Sequence, residues 1–173
     1  DSGEDAIAFS TDSDYAANIE KAEAVMPAGK RAEATVELEL LDTPDQHTIE
    51  EVSQFFNVSK QQCLKTLVVK GENDTLVALL LRGDHELNEL KAEKIEGVLS
   101  PLEFASDEDI LSNCHCKPGS IGPIGLGFKI IVDRSASLLS DFVCGANQDG
   151  KHYKGTNWER DLPLAQVEDL RLI

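Results

Sequence analysis

Thr66–Leu81 reads TLVVKGENDTLVALLL. Two apolar runs, Thr66–Lys70 and Thr75–Leu81, flank the polar turn Gly71–Asp74, and this pattern predicts a β-hairpin. Working outward, Glu86–Glu96 has helical spacing and is stopped by Gly97. Leu102–Ala105 reads as a short strand and Asp107–Asn113 as a capped helix. Pro118–Gly127 holds four glycines and two prolines and is read as loop. Lys129–Asp133 is a buried strand, and Leu139–Gly145 and Lys151–Tyr153 form a second hairpin around Asn147–Gly150. Val167–Leu172 is a candidate last strand.

Upstream of the first hairpin, Thr48-Ile49-Glu50-Glu51 fits a capping box, so a helix is expected from Ile49 to about Asn57. Ser59 is expected to cap a short turn over Lys60–Leu64, and Asp42–Asp45 is a turn. Ala34–Leu41 alternates as a half-buried strand would. Tyr15–Val25 has helical spacing, with Asp14 or Ser13 as N-cap and Pro27–Gly29 as stop. Strands and helices mix without strict alternation, which predicts an α+β fold with a mixed, largely antiparallel sheet. At 173 residues a single domain over 1–173 is expected, with 1–13 as a flexible or linker segment.

The net charge is −16, against a general nucleic-acid binder. It is uneven: residues 1–62 carry 14 acids and 4 bases, and 63–173 carry 18 acids and 12 bases. Any RNA contact should therefore use few phosphates and fall in the second part. With nine aromatic residues, an aromatic base-stacking platform is not the obvious design. The longest purely apolar run, Leu76–Leu81, is far too short to span a bilayer. The acidic start DSGED lacks the features of a signal peptide, and Cys63, Cys114, Cys116 and Cys144 suit a reduced compartment. A cytoplasmic setting without membrane contact follows as the expectation. Cys114-His115-Cys116 matches no common zinc spacing and reads as a helix end entering the Pro118 loop, so no metal is expected. There is no G-x-S-x-G, no cysteine paired with an obvious histidine and no H-E-x-x-H, which counts against a covalent hydrolase but not against an aminoacyl-ester deacylase.

Val77–Lys91 (VALLLRGDHELNELK) read with Lys70, then Pro118–Pro123 (PGSIGP), then Gly145–Asp161 (GANQDGKHYKGTNWERD) form a series. In order and spacing it closely resembles the editing domain inserted into bacterial prolyl-tRNA synthetase, of the YbaK-like aminoacyl-tRNA deacylases. The resemblance runs from about Asp14 to Ile173. It implies a curved sheet flanked by helices. It implies hydrolysis of alanine mischarged onto proline tRNA, assisted by the substrate 2′-hydroxyl, while cysteine, close to proline in size, escapes. It implies no cofactor in this domain, ATP being used only in the host's aminoacylation site. Its partners would be the 3′-end of the mischarged tRNA and the rest of a homodimeric synthetase.

The resemblance also places the family's functional lysine at Lys70 and its G-x-x-x-P loop at Gly119–Pro123, with Gly119 catalytic and Ser120, Ile121, Gly122 and Pro123 against the substrate. The pocket threonine falls at Thr48, which is equally a good N-cap. Asp133 matches a functional acid that could meet the substrate's ammonium, and is equally an ordinary strand-end residue. His152 matches a histidine that lines the amino-acid pocket and sets its size. Lys70, Thr48, Gly119, Asp133 and His152 are thus expected to converge on one small cleft. Two other readings stay open: a non-catalytic module that positions the tRNA acceptor end or stabilises its host, and a free-standing deacylase.

Overall fold

The computed structural model describes residues 31–164 and 166–173, so the helix expected over Tyr15–Val25 and the segment 1–13 lie outside the described residues. The described chain begins β1 (Glu39–Asp42), α1 (Ile49–Phe56), β2 (Leu64–Lys70), β3 (Leu76–Arg82), α2 (Glu89–Glu93) and α3 (Asp107–Cys114). It continues β4 (Lys129–Asp133), β5 (Phe142–Gly145), β6 (Lys151–Thr156) and β7 (Val167–Glu168). The strands form two sheets, β1-β6-β5 and β2-β3-β4-β7, which meet where Cys63 bridges Val143. The result is a mixed α+β architecture with both antiparallel and parallel pairs.

The expected hairpin is present, with Lys70 opposite Leu76 and Leu64 opposite Arg82. Its turn uses Asn73 and Asp74 at φ 59°, a left-handed geometry those two residue types tolerate. The unbroken apolar run of β3 is explained by its central place. Ala78 and Leu80 pack with Leu64, Val132, Phe142 and Trp158 on one face. Val77, Leu79 and Leu81 pack with Val69, Ile131 and Leu170 on the other. A leucine fully withdrawn from water contributes about 1.5–3 kcal/mol, so this strand anchors the core. β4 lies parallel to β3, and the long connection that a parallel pair requires carries α2 and α3.

α1 forms where the capping box predicted it. The Thr48 hydroxyl accepts from the Glu51 amide, the Glu51 side chain reaches back to the Thr48 amide, and Asn57 ends the helix in the left-handed region. Its apolar side, Ile49, Val52 and Phe56, packs against Cys63 and Val143.

Five elements differ from expectation. In the second hairpin β5 begins at Phe142 rather than Leu139, after a single helical turn over Ala136–Leu138, and β6 runs on to Thr156 rather than Tyr153. The strand over Ala34–Leu41 shrinks to β1, which is largely exposed rather than half-buried. The helix over Glu86–Glu96 begins only at Glu89, because Asn88 caps the Leu90 and Lys91 amides while Glu86 and Leu87 pair with the C-terminal segment. Leu102–Ala105 makes one bridge, Phe104 to Val69, and no strand. β7 stops at Glu168 because the buried Asp133 carboxylate, rather than a neighbouring strand, takes the Leu170 and Arg171 amides. Among the described residues no helix is long and apolar enough to cross a membrane.

Candidate active site

A cleft of about 230 Å3 opens between the start of α1, the first half of β2, the turn at Pro118–Ser120 and the facing ends of β5 and β6. Thr48, Gly119, Ile121 and His152 line it, as expected, and Lys65, Thr66, His47, Cys63 and Cys144 join them. The cleft exists because β2 is an edge strand with a gap. At one end Cys63 bridges Val143. At the other, Val68 accepts from the Ala105 amide and Lys70 donates to the Glu103 carbonyl. Between those anchors the edge of β2 is left to the cleft.

The turn at Pro118–Ser120 is clamped by the hairpin opposite. Asn147 binds the Gly122 amide through Oδ1 at 2.8 Å and the Gly122 and Ile124 carbonyls through Nδ2. Ser120 accepts from the Asn147 amide with its carbonyl and from the Gly150 amide with its hydroxyl. Asp149 holds the Lys117 amide. Gly122 and Gly145 cross backbone on backbone: a Cβ on Gly122 would stand 1.7 Å from the Gly145 carbonyl oxygen. Glycine is therefore required at this crossing by space. Lys117 caps the turn and Pro118 has no N–H, so the Gly119 amide is the first N–H of the turn, without a partner among the described residues. Gly119 lies so close to His47 that a Cβ would meet that ring at 2.9 Å.

His152 is 4% exposed, and its Nδ1 lies 2.6 Å from the buried Thr43 hydroxyl. Burial, then the nearby His47, pushes its pKa below the usual histidine value, so the ring is neutral at pH 7. Cys63 and Cys144 are thiols rather than thiolates, since burial pushes them up to about 11 and about 12. No aspartate or glutamate is among the cleft's described lining residues, and Lys65 is its one lysine. The Lys65 side chain is 17% exposed, with its ammonium 3.3 Å from the solvent-facing Glu86 carboxylate.

Convergence fails for two expected residues. Lys70 borders a separate groove with Asn73, Asp74, Asp109 and Phe128. There its ammonium pairs with Glu103 at 2.8 Å, and that hydrogen bond raises its pKa. The physical reason is strand length: Lys70 lies five residues beyond Lys65, about 16 Å along an extended chain. Asp133 is fully buried at the end of β4, accepting the Leu170, Arg171 and Ser135 amides, and so ties the C-terminal segment to the sheet. Ser120, Gly122 and Pro123 are buried behind the cleft wall, and of that loop Pro118, Gly119 and Ile121 face in.

Lys65, Thr66, Thr43 and Asn147 were not singled out from sequence. A charged residue between Leu64 and Leu67 at the head of an apolar strand is the signal that could have found Lys65. Cys114 and Cys116 pack in a core cluster with Val68, Ile110 and Ile121, and His115 is the left-handed cap of α3. Among the described residues no group of three or more His, Cys, Asp or Glu is placed to hold a metal ion.

A family model described as the aminoacyl-tRNA editing domain matches residues 43–162. The fold is similar to the crystal structure of a hypothetical protein, at TM-score 0.65 and 22% identity over 79% of this chain and 92% of that one. It is similar as well to the crystal structure of a candidate trans-editing enzyme for prolyl tRNA synthetase, at TM-score 0.66 and 23% identity over 78% of this chain and 86% of that one.

Proposed function

The chain belongs to the aminoacyl-tRNA editing domain family, and on that premise we propose that it hydrolyses alanine mischarged onto proline tRNA. A synthetic pocket shaped for proline excludes the smaller alanine only through lost contact. Two methylenes are worth about 1.6 kcal/mol, or roughly 15-fold, too little for translation without a second sieve. The observation that carries the reading is the cleft itself: small, with an unpartnered backbone amide, a lysine and a neutral histidine, and without a carboxylate or thiolate among its described lining residues.

Such a site suits an ester that is already activated. Water adds to the ester carbonyl carbon, and the Gly119 N–H donates to the oxyanion that forms. The 2′-hydroxyl of the terminal ribose orients the water and accepts or relays its proton. The bond from the carbonyl carbon to the ribose oxygen then breaks, that oxygen takes the proton, and alanine leaves. Lys65 is the cation of this cleft, beside the terminal phosphate or the developing oxyanion, in place of Lys70. Thr48 caps α1 and lines the wall, and His152, held by Thr43, fills the floor and limits the side chain that fits. Neither cofactor nor metal is required by these steps.

The segments DYAANIEKAEA and GTNWERDLP resemble the inserted form, so the domain acts in cis within a homodimeric cytoplasmic prolyl-tRNA synthetase. The likeness to a candidate trans-editing enzyme supports a second reading, a free-standing deacylase. The test is deacylation of alanyl- and prolyl-tRNA by the purified chain. Alanyl-tRNA is expected to be cleaved and prolyl-tRNA spared. Tight tRNA binding without hydrolysis would overturn the reading in favour of a positioning module.

A further inference from the structure

Thr66 combines three observations that no role assigned above uses. It lines the cleft. Its hydroxyl is shielded from water and has no hydrogen-bond partner among the described residues. Its backbone faces the gap in the β2 edge. In an antiparallel edge strand, alternate residues turn both backbone groups toward or away from the neighbour. Val68 and Lys70 turn theirs away from β3, toward Ala105 and Glu103, whereas the Cys63 carbonyl turns toward β3 and accepts from Gly83. Thr66, two residues before Val68, therefore presents its carbonyl and amide to the cleft.

An unpartnered buried hydroxyl costs stability, and Thr66 stands opposite Leu80 in a sheet where valine would fit as well. We propose that Thr66 is a positioning residue that receives the α-ammonium group of the aminoacyl ester, through its hydroxyl and its main-chain carbonyl. The inference rests on the deacylase reading above. An α-ammonium carries three N–H donors and needs acceptors. With no carboxylate among the described lining residues, a strand-edge carbonyl and a hydroxyl on one residue supply two. One χ1 step, which exchanges the hydroxyl with the methyl, is the movement required. Held there, the ammonium fixes the ester carbonyl relative to Gly119, which lines the same cleft.

The test uses the full chain, with Thr66→Val and Thr66→Ser, on proline tRNA carrying either alanine or its desamino counterpart, propionate. Thr66→Val is expected to melt at or above wild type, because it removes an unpaired polar group. On the alanyl ester its kcat/KM should fall about ten- to hundredfold, the range for one hydrogen bond to a charged group. On the propionyl ester wild type and Thr66→Val should be equal, and Thr66→Ser should keep most of the alanyl activity. Equal losses on both esters, wild-type activity on the alanyl ester, or a lowered melting temperature would each overturn the assignment. If wild type cleaves neither ester, the deacylase reading itself falls, and this assignment with it.

Discussion

Replacing Gly145 with alanine tests whether the crossing of two backbones holds the Pro118–Ser120 turn in place. A Cβ there would stand 2.1 Å from the Ile121 carbonyl oxygen and 2.6 Å from that of Ser120. Ordinary contacts of this kind begin at 3.4 Å, so one backbone must retreat by roughly 1.3 Å. The hairpin side is held by the β5–β6 pairing, and the turn side by Asn147 and Asp149. Asn147, Asp149 and Gly150 lie in the loop that follows Gly145, so the strain falls on their bonds to the turn, and Gly119 moves with it. A misplacement of about 1 Å at a reacting centre costs about a hundredfold in rate. Overpacking costs about 1–3 kcal/mol, a fall of several degrees in Tm for a chain of this size. The assay is single-turnover deacylation of alanyl-tRNA beside a thermal melt. Gly127→Ala is the control, since a Cβ there meets nothing within 4 Å. Wild-type rate and Tm in Gly145→Ala, or equal damage in Gly127→Ala, would refute the argument.

Lys65→Ala is expected to lower alanyl-tRNA deacylation about a hundredfold or more with little change in Tm, while Lys70→Ala keeps activity within a few-fold; the reverse order would return the catalytic cation to Lys70. His152→Ala should enlarge the pocket and turn prolyl-tRNA into a substrate, whereas a general base would give a loss of about a hundredfold on both tRNAs with no new proline activity. Stability should fall as pH drops below the ordinary histidine value of 6.5, because buried His152 and half-buried His85 both keep folded pKa values below it and the unfolded chain then binds more protons. Urea midpoints at pH 7.5 and 5.5 measure this, and a flat profile would show that neither ring is held neutral by the fold.

Local chemistry was legible in the sequence. The capping box at Thr48–Glu51, the Gly71–Asp74 turn and the turn between β5 and β6 are each fixed by a few adjacent residues, and each formed as read. Misplaced elements depend on distant partners. The Glu86–Asn88 start of the helix expected over Glu86–Glu96 is claimed by the C-terminal segment, and β7 is cut short by a side chain on β4. The same division holds at the site. Thr48, Gly119, Ile121 and His152 sit beside local signals, a cap or a turn, and they meet in the cleft. The resemblance puts the functional lysine at Lys70, at the end of an apolar run, and order along the chain is a one-dimensional cue. Only the pairing of β2 with its neighbours shows that the cleft opens five residues earlier, at Lys65. Asp133, which the resemblance matches to a functional acid and which reads equally as a strand-end residue, is spent on backbone amides.

The gap in the β2 edge has a consequence for self-association. An exposed strand edge invites a strand from another molecule, and proteins ordinarily blunt such edges with charge or cover them. Here the bridge at Cys63 and the hydrogen bond at Val68 bracket only Leu64–Leu67, of which Leu64 and Thr66 alone turn their backbone groups outward, so an incoming strand finds at most two residues to bond. Lys65 adds a charge within the opening. The edge is thus short enough to refuse another chain, yet long enough to offer its backbone to a single residue. A domain that must receive one amino acid on the end of an RNA can keep an open sheet edge in a crowded solution without aggregating through it.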